Sequence, residues 1–229
     1  MARTTIRPQL RSVTSDSITP DPVIAAVVAE AVGAVAGRVN EVIVESAERL
    51  PRTGDQYALG NLIADAQRAA GRGDIAVMNN GGIRADLAAG AVTWGQLYEV
   101  QPFANRLVVV TVRGTALRAY LEGLVGGTSV RYHVSGVTID YDPSAPSLKR
   151  LKRVTMSDGS RLDDRRRYRV VMTDFLASGG DGVSLSQEAT IEELNRVDLD
   201  AFVDYLRSMP GARLTPSDAV RAPRIRAVP

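Results

Sequence analysis

The sequence predicts an α/β or α+β fold, in which helices and strands mix within one globular chain. Segments with apolar residues at helical spacing alternate with short β-branched runs, and glycine or proline residues separate them. Hydrophobic residues make up 45% of the 229 residues and charged residues 24%, as in ordinary globular proteins. A chain of this length suffices for one large domain or two small ones.

Four helices are predicted from apolar residues that recur every three or four positions. The first begins at Asp21-Pro22, because a proline in the first turn has no N–H that needs a partner. The third ends at Gly126-Gly127 and the fourth before Pro210-Gly211. The apolar positions are 23, 24, 27, 28, 31, 32 and 35 in the first helix; Leu59, Leu62, Ile63 and Ala66 in the second; Leu117, Leu121 and Leu124 in the third; and Leu199, Phe202, Val203 and Leu206 in the fourth.

Short apolar runs predict six strands. The clearest of them, at residues 107–112, consists almost entirely of β-branched residues. The segment around His133 also has strand character. The six strands cover residues 41–45, 74–78, 107–112, 137–141, 151–156 and 168–172.

The composition excludes several kinds of site. The 28 basic residues face 26 acidic ones, so the net charge of +2 does not indicate a nucleic-acid partner. Cysteine is absent, which excludes disulfides and thiolate metal sites. His133 is the single histidine, which excludes a zinc or binuclear site built on histidines, and we interpret it as an incidental histidine of a sheet. The P-loop and nucleophile-elbow motifs do not occur.

No membrane span is expected, because no apolar run approaches roughly 20 residues. The stretch 23–35 comes closest, but Glu30 interrupts it and Arg38 ends it. The first residues also lack the apolar core of a secretory signal peptide. A basic cluster later in the chain is interpreted as a solvated strand edge that resists aggregation. The cluster comprises Lys149, Arg150, Lys152, Arg153 and residues 165–167.

The segment MNNGGIRAD, residues 78–86, directly follows a predicted strand. Gly81 and Gly82 allow backbone N–H groups to approach a ligand closely, and Arg84 carries a planar guanidinium suited to phosphate. The alternative is a tight turn with a solvated or ion-paired arginine. Taken alone, the segment does not decide between these interpretations.

The segment VQPFAN, residues 100–105, places Phe103 in a loop just before a strand. A phenylalanine in such a loop can stack on a nucleobase, a contact worth roughly 1–3 kcal/mol. The alternative is a core aromatic, since the chain contains only three phenylalanines.

The segment TDFLASGGDGVSL, residues 173–185, combines Phe175 with three glycines around Asp181. A carboxylate held in such a loop can accept two hydrogen bonds from a ribose diol. An ordinary hairpin turn is one alternative. A calcium loop is the other, but the order of the residues differs from the calcium-binding repeat and only one copy is present.

The order of these segments resembles one known family. The succession GNLIADAQ (60–67), NNGGIRADL (79–87), VTWGQLYEVQPFANRLVVVTVRGTALRAYLE (92–122) and DFLASGGDG (174–182) is similar to the C-terminal, substrate-binding domain of the bacterial 5'-nucleotidase, UDP-sugar hydrolase and 2',3'-cyclic phosphodiesterase family. The resemblance runs from about residue 21 to 208. It implies an α/β domain of mixed sheets flanked by helices.

The resemblance also implies a function. In this family of hydrolases of nucleotide catabolism, an N-terminal metallophosphoesterase domain holds two divalent metals and attacks the phosphate, while the C-terminal domain grips the nucleoside. Phe103 and Phe175 match the two phenylalanines that sandwich the base, and Asp181 matches the residue that holds the ribose. Asn79 and Gly81 are implied at the base edge and Arg84 near the phosphate. No catalytic residue or cofactor is expected in this chain.

Three positions depart from the family pattern. The family usually has asparagine at the position of Asp174 and often an aromatic residue at that of Val183, so a negative charge is added near the sugar and the pocket wall is loosened. A further phosphate-binding arginine usually precedes the GNLI helix, and Arg52 is the nearest candidate.

Residues 1–20 are expected to be the remnant of a preceding domain with a linker, and 21–229 the nucleotide-recognition domain. The metallophosphoesterase domain is expected in cis but outside this chain, which alone is expected to be inactive. In the whole protein, an extracellular, cell-surface or periplasmic location is implied. The alternative is a non-enzymatic nucleoside-binding or cell-surface module derived from this domain.

Overall fold

The computed structural model describes residues 9–10, 12, 14, 18–185 and 189–229. The chain divides into two units, residues 1–39 and 40–229. Most of the expected remnant and linker, residues 1–20, lies outside the described residues.

The first unit contains the helix α1 (Pro22–Val39), which begins where the sequence predicts. Asp21 caps it, because its Oδ1 accepts hydrogen bonds from the backbone N–H groups of Val23 at 2.8 Å and Ile24 at 3.1 Å. None of its residues is buried. Among the described helices, α1 is long and apolar enough to cross a membrane, with 18 residues and a mean hydropathy of 1.7. Core helices and signal sequences share these properties, so they do not establish a span.

The second unit mixes helices with strands, as the sequence predicts. The described residues contain the helices α2 (Ala58–Gly71), α3 (Trp94–Val100), α4 (Gly114–Leu124), α5 (Asp174–Ala177), α6 (Asp198–Arg207) and α7 (Asp218–Arg221). The strands are β1 (Val42–Ser46), β2 (Ile75–Asn79), β3 (Gly90–Thr93), β4 (Arg106–Arg113), β5 (Tyr132–Ser135), β6 (Val137–Tyr141), β7 (Leu151–Met156), β8 (Arg167–Thr173), β9 (Thr190–Val197), β10 (Arg213–Leu214) and β11 (Ile225–Ala227).

The strands form three sheets in the described part of the chain. The largest has the order β5-β2-β8-β4-β9, and in it only β2 and β8 run parallel. The two smaller sheets have the orders β10-β1-β3 and β11-β6-β7, and each combines one parallel with one antiparallel pair. These mixed sheets, flanked by helices, confirm the predicted fold class.

Both faces of the five-stranded sheet are covered, which explains the unbroken apolar run of β4. Val108 and Val110 pack into one buried cluster with Leu117 and Leu121 of α4. Val109 points to the opposite face, where it packs with Val171. The α2 helix lies beside Val171, because a Cβ added at its last residue would be 2.6 Å from that side chain.

Several elements were not predicted. The strand β9 is an edge strand beside β4, and its sequence TIEELNRV is polar and mostly exposed, so no apolar run reveals it. The helix α3 does carry a signal in the sequence. Thr93 and Gln96 form a capping box at its start, with Gln96 N–H donating to Thr93 Oγ1 at 3.3 Å and Thr93 N–H donating to Gln96 Oε1 at 2.9 Å.

Candidate functional site

Sheet topology brings the three predicted loops to one edge of the five-stranded sheet. The strands β2 and β8 are parallel neighbours, so the loops after Asn79 and Thr173 leave the same edge. The strand β4 runs antiparallel to β8, with Leu107 opposite Thr173, so the loop that precedes β4 reaches this edge too. The edge therefore collects the segments that the sequence singled out.

These loops surround a cavity of about 290 Å³ that we call the cleft. Its lining consists of Asn79, Gly81, Gly82, Phe103, Asn105, Phe175 and Asp181. Five of the six predicted site residues thus line one cavity, and Arg84 is the exception. Gly82 and Asn105 were not among the predicted site residues.

The cleft exposes two of the three phenylalanines. Phe103 is 55% exposed and Phe175 is 45% exposed, whereas Phe202 is fully buried. The interpretation of Phe103 as a core aromatic is therefore wrong. Two large apolar rings that remain in water while lining one cavity form a surface suited to a planar apolar ligand.

The loop around Phe175 is shaped to hold its ring. The α5 helix begins at Asp174, and Thr173 caps it because its Oγ1 accepts the Leu176 N–H at 3.3 Å. A Cβ added at Gly180 would lie 2.4 Å from the Phe175 ring. Only glycine therefore allows the ring to lie against the GGDG loop.

Asp181 is held by its neighbours in an unusual backbone conformation. Its φ is +58°, in the left-handed region that few non-glycine residues adopt. The Nδ2 of Asn79, a residue only 5% exposed, donates to its Oδ2 at 2.7 Å. The Tyr132 hydroxyl donates to its carbonyl oxygen at 3.4 Å. No described residue donates to Oδ1, which is therefore available to a ligand hydroxyl.

Gly82 is needed because of Asn79. A Cβ at this position would lie 2.9 Å from the Asn79 Oδ1 and 2.6 Å from the Met78 Cε. The glycine therefore leaves room for the amide that orients Asp181.

Two arginines lie beside the cleft. The Cζ of Arg84 is 5.8 Å from the centroid of the Phe103 ring, a cation–π distance, and its Nη1 donates to the Gly81 carbonyl at 3.1 Å. The Nη1 of Arg52 donates to the Arg84 carbonyl at 3.1 Å, so Arg52 is a neighbour of Arg84. Arg84 therefore lies next to the aromatic wall of the cleft, and the Arg52 guanidinium lies next to Arg84.

Asp86 anchors this arginine pair. Its Oδ1 accepts the backbone N–H of Arg52 at 2.9 Å, and its Oδ2 accepts from the side chain of Arg49. These two hydrogen bonds, in this order of importance, lower the pKa of Asp86. The carboxylate therefore stays ionised while it positions the loop that carries Arg52.

Asn105 is held in the cleft by a buried carboxyl group that was not predicted. Its Nδ2 donates to Asp198 Oδ2 at 3.2 Å, and its carbonyl accepts the Asp198 N–H at 2.9 Å. Asp198 is 2% exposed, and this burial raises its pKa to about 6, against the hydrogen bonds from Leu199 N–H and Asn105. The sequence places the two residues 93 positions apart, so no local pattern reveals the pair.

Asp198 is expected to make stability depend on pH. Its folded pKa of about 6 lies above the ordinary value of 3.8, so the folded state binds more protons between these values. Its contribution is therefore fully present below pH 3.8 and is lost as the pH rises through 6. In urea unfolding from pH 4 to 7, D198N should gain up to about 3 kcal/mol relative to the wild type.

The exposed carboxylate of Asp218 supplies the matched control, since D218N should follow the wild type across the same pH range. A constant difference between D198N and the wild type at every pH would contradict this assignment of Asp198.

Asp174 and Val183, two of the three departures from the family pattern, lie outside the cleft lining. The Oδ1 of Asp174 accepts the N–H of Phe175 at 2.8 Å. Val183 packs on α4, where a Cβ added at Gly123 would be 2.8 Å from its Cγ1, and it lines a neighbouring cavity with Tyr132. The expectation that Val183 loosens the wall of the cleft is therefore wrong.

His133 is a buried residue of β5, as expected. Its Nδ1 lies 3.2 Å from Asn61 Oδ1, and its ring meets that of Tyr57 edge-on at 4.3 Å between centroids. Burial, with the nearby Arg224, lowers its pKa to about 3. The described residues contain no cluster of three His, Cys, Asp or Glu side chains able to hold a metal ion.

The fold and the cleft thus define a mixed α/β domain with an open cleft between two phenylalanines. The sequence model of the family described as 5'-nucleotidase, C-terminal domain, matches residues 32–188. The chain belongs to this family.

Three similar proteins are each longer than this chain. The cell wall protein Lmo0130 of Listeria monocytogenes is 32% identical over 86% of this chain and 28% of its own length. The endonuclease YhcR of Bacillus subtilis is 34% identical over 66% of this chain and 12% of its own length. The structure of the 5'-nucleotidase precursor from Thermus thermophilus superposes with a TM-score of 0.78 at 31% identity, covering 91% of this chain and 44% of that one. The chain thus spans less than a third of the two curated relatives and less than half of the Thermus thermophilus protein.

Proposed function

We propose that this chain recognises the nucleoside of a nucleotide for a 5'-nucleotidase-type phosphohydrolase. The observation that carries the proposal is the cleft, where Phe103 and Phe175 are both half-exposed and line one cavity with Asp181. Two rings around a planar base favour nucleobases with little dependence on their identity, because every base has a π-face. Each stacking contact contributes roughly 1–3 kcal/mol, so binding by this chain alone is expected near millimolar.

Polar groups in and beside the cleft are proposed to bind the ribose, the edge of the base and the phosphate. Asp181 accepts hydrogen bonds from the ribose diol through Oδ1. Asn79 donates to the other oxygen, Oδ2, and no described residue donates to Oδ1. In the proposed complex, Asn79 and Gly81 contact the edge of the base. Arg84, with Arg52 beside it, faces the anionic phosphate. The ligand class is therefore a ribonucleotide.

The chemical step belongs to a separate domain in this proposal. An N-terminal metallophosphoesterase domain in cis would hold two divalent metals, which would activate the water that attacks the phosphate. Residues 21–229 supply substrate recognition, and residues 1–20 lead in from that domain. The cell wall protein among the relatives supports an extracellular or cell-surface location for the whole protein.

A titration followed by amide NMR tests the recognition role. Adenosine and AMP should shift the resonances of the loops that carry Phe103, Phe175 and Asp181, whereas ribose 5-phosphate, which lacks the base, should shift them much less. If AMP at about ten times the expected millimolar Kd leaves these loops unchanged, the proposal fails. Phosphate release from AMP with added manganese should be absent, and a rate that depends on this chain would overturn the assignment of catalysis to another domain.

The ribose contact gives a sharper prediction. The wild type should bind AMP about tenfold more tightly than 2'-deoxy-AMP, since one charge-assisted hydrogen bond contributes roughly 1.5 kcal/mol. D181N should lose most of this preference, because an amide accepts more weakly than a carboxylate. The measurement is the ratio of the two dissociation constants, with D174N as the matched control because its carboxylate lies outside the cleft lining. An unchanged ratio in D181N would show that Asp181 does not bind the ribose.

A second candidate is a non-enzymatic cell-surface module that keeps the nucleoside cleft. The name of the Listeria relative favours it, because that cell wall protein matches 86% of this chain. The upstream reading frame discriminates between the two. Histidine and aspartate motifs of a metallophosphoesterase there support the hydrolase, and their absence supports the module.

A further inference from the structure

The basic cluster of the sequence is split by the fold. Arg150 is partly buried and holds loops together, since its Nη1 donates to the Val125 carbonyl at 3.1 Å and to that of Gly127. Lys152 and Arg153 lie on β7, an edge strand, in agreement with the predicted strand edge. They border a second cavity of about 350 Å³, which we call the basic groove. Its lining consists of Arg118, Asp140, Lys152, Arg153, Val154, Arg161, Leu162 and Val228, none of which lines the cleft.

The carboxylate in the basic groove is already neutralised. Asp140 stands on the central strand β6, opposite Arg153 on β7 and Arg226 on β11. Arg153 Nε donates to its Oδ2 at 3.0 Å, and Arg226 Nε donates to its Oδ1 at 2.8 Å. Both oxygens of this buried carboxylate therefore face cations, and the row Arg–Asp–Arg carries a net positive charge.

The remaining cations of the basic groove are weakly engaged. Lys152 Nζ lies 3.1 Å from Asp142, and Arg118 lies 2.8 Å from Asp164, but both cations are more than 40% exposed. Exposed ion pairs contribute little and exchange readily with other partners. No described residue pairs with the guanidinium of Arg161. Around this concavity the cations therefore outnumber the carboxylates by five to three. The cations are Arg118, Lys152, Arg153, Arg161 and Arg226, and the carboxylates are Asp140, Asp142 and Asp164.

We propose that the basic groove binds a compact oxyanion with two or more phosphate groups, such as a diphosphate or triphosphate. Arginine forks pair with phosphate oxygens through two hydrogen bonds. The concavity offers the fork of Arg161, which no described residue engages, the exposed and partly engaged guanidinium groups of Arg118 and Arg153, and a lysine. The spread of four cationic groups around one opening suits several linked phosphates better than one. An extended nucleic acid is disfavoured, because no aromatic side chain lines the basic groove for base stacking.

Calorimetry with inorganic phosphate, pyrophosphate and tripolyphosphate tests the proposal on the full chain. Tripolyphosphate should bind with a Kd below about 1 mM at low salt, pyrophosphate more weakly and phosphate weakest. Affinity should fall on raising the salt from about 20 to 200 mM, because the groups are exposed. R161E should weaken tripolyphosphate binding at least about tenfold, since it reverses a charge that the fold does not use.

Matched variants locate the site. R213A, an exposed arginine elsewhere, should bind tripolyphosphate like the wild type, and R84A measures any share of the binding that occurs at the cleft. D142N should bind it severalfold more tightly, because it releases Lys152. Thermal melts of each variant show whether it is folded, and D142N gives a gain that misfolding cannot mimic.

Three results would overturn the proposal. The first is no heat of binding with tripolyphosphate at about 10 mM. The second is binding that R84A abolishes and R161E preserves, since the anion would then occupy the cleft. The third is tighter binding of single-stranded oligothymidylate than of tripolyphosphate, which would make the basic groove part of a nucleic-acid surface.

Discussion

Replacing both Phe103 and Phe175 with alanine is expected to abolish AMP binding while leaving the domain folded. Each ring contributes roughly 1–3 kcal/mol of stacking, so each single variant should lose about five- to 150-fold in affinity. From a starting Kd near millimolar, the double variant then falls outside the measurable range. Both rings are about half-exposed, so their removal costs the folded state little of its buried apolar area. Amide NMR titration measures the loss, and thermal unfolding reports the fold.

A matched control exists in Tyr98, an exposed aromatic residue of α3 that stacks on Trp94 at 5.5 Å between ring centroids. Y98A removes an aromatic surface of similar exposure outside the cleft, so its AMP affinity should equal that of the wild type. F103L and F175L keep an apolar side chain but lose the flat π-face, and should bind nearly as poorly as the alanine variants. Wild-type affinity in the double variant would refute the aromatic sandwich.

Removing Arg224 is expected to destabilise the second unit by about 3 kcal/mol, the lower end of the range for breaking a buried ion pair by removing one partner, because this pair is only partly buried. Arg224 pairs with both oxygens of Asp65 on α2, at 2.7 and 2.9 Å, and the two side chains are 14% and 16% exposed. It also donates to the Val134 carbonyl of β5 at 2.9 Å. The contact therefore fastens the segment before β11 to α2 and β5. Urea unfolding of R224A measures the loss.

A double-mutant cycle separates the interaction energy of Arg224 and Asp65 from the other effects of the two substitutions. D65A leaves Arg224 buried without its partner, whereas D65A/R224A removes both charges, so the double variant should be less destabilised than the sum of the single variants. R224K keeps the charge but loses the planar fork, and should lie between wild type and R224A. The exposed R213A is the surface control. A loss in R224A below about 1 kcal/mol would show a pair no stronger than a surface one.

The sequence predicted the elements that carry strong apolar patterns. The strand at 107–112 and the helix of Leu117 and Leu121 appear as β4 and α4. The side chains of β4 are buried on both faces of the sheet, and α4 buries its apolar side against one of them. Strand β9 escaped prediction because its stability comes from pairing with β4, and its own residues remain exposed. Its position at the edge of the sheet depends on the other strands, so no pattern within its own short segment of sequence predicts it.

The sequence also identified most residues of the cleft, since Asn79, Gly81, Phe103, Phe175 and Asp181 line one cavity. The order of motifs sufficed for this, together with the resemblance to the family. Arg84 belongs beside the cleft rather than in its lining. Asn105 was not predicted, because its role depends on the buried carboxyl of Asp198, which approaches it only when the chain is folded.

The sequence by itself determined the fold class, the family and the residue types that suit a nucleoside. Only the tertiary structure decided which aromatic side chains remain in water, because burial depends on all the elements that pack around a residue. Phe103 and Phe202 are the same residue type, yet Phe103 is 55% exposed in the loop before β4 and Phe202 is fully buried. The same holds for charge. The basic groove joins Arg118 of α4 to Arg153 of β7, and only the packing of helix against sheet brings them to one cavity.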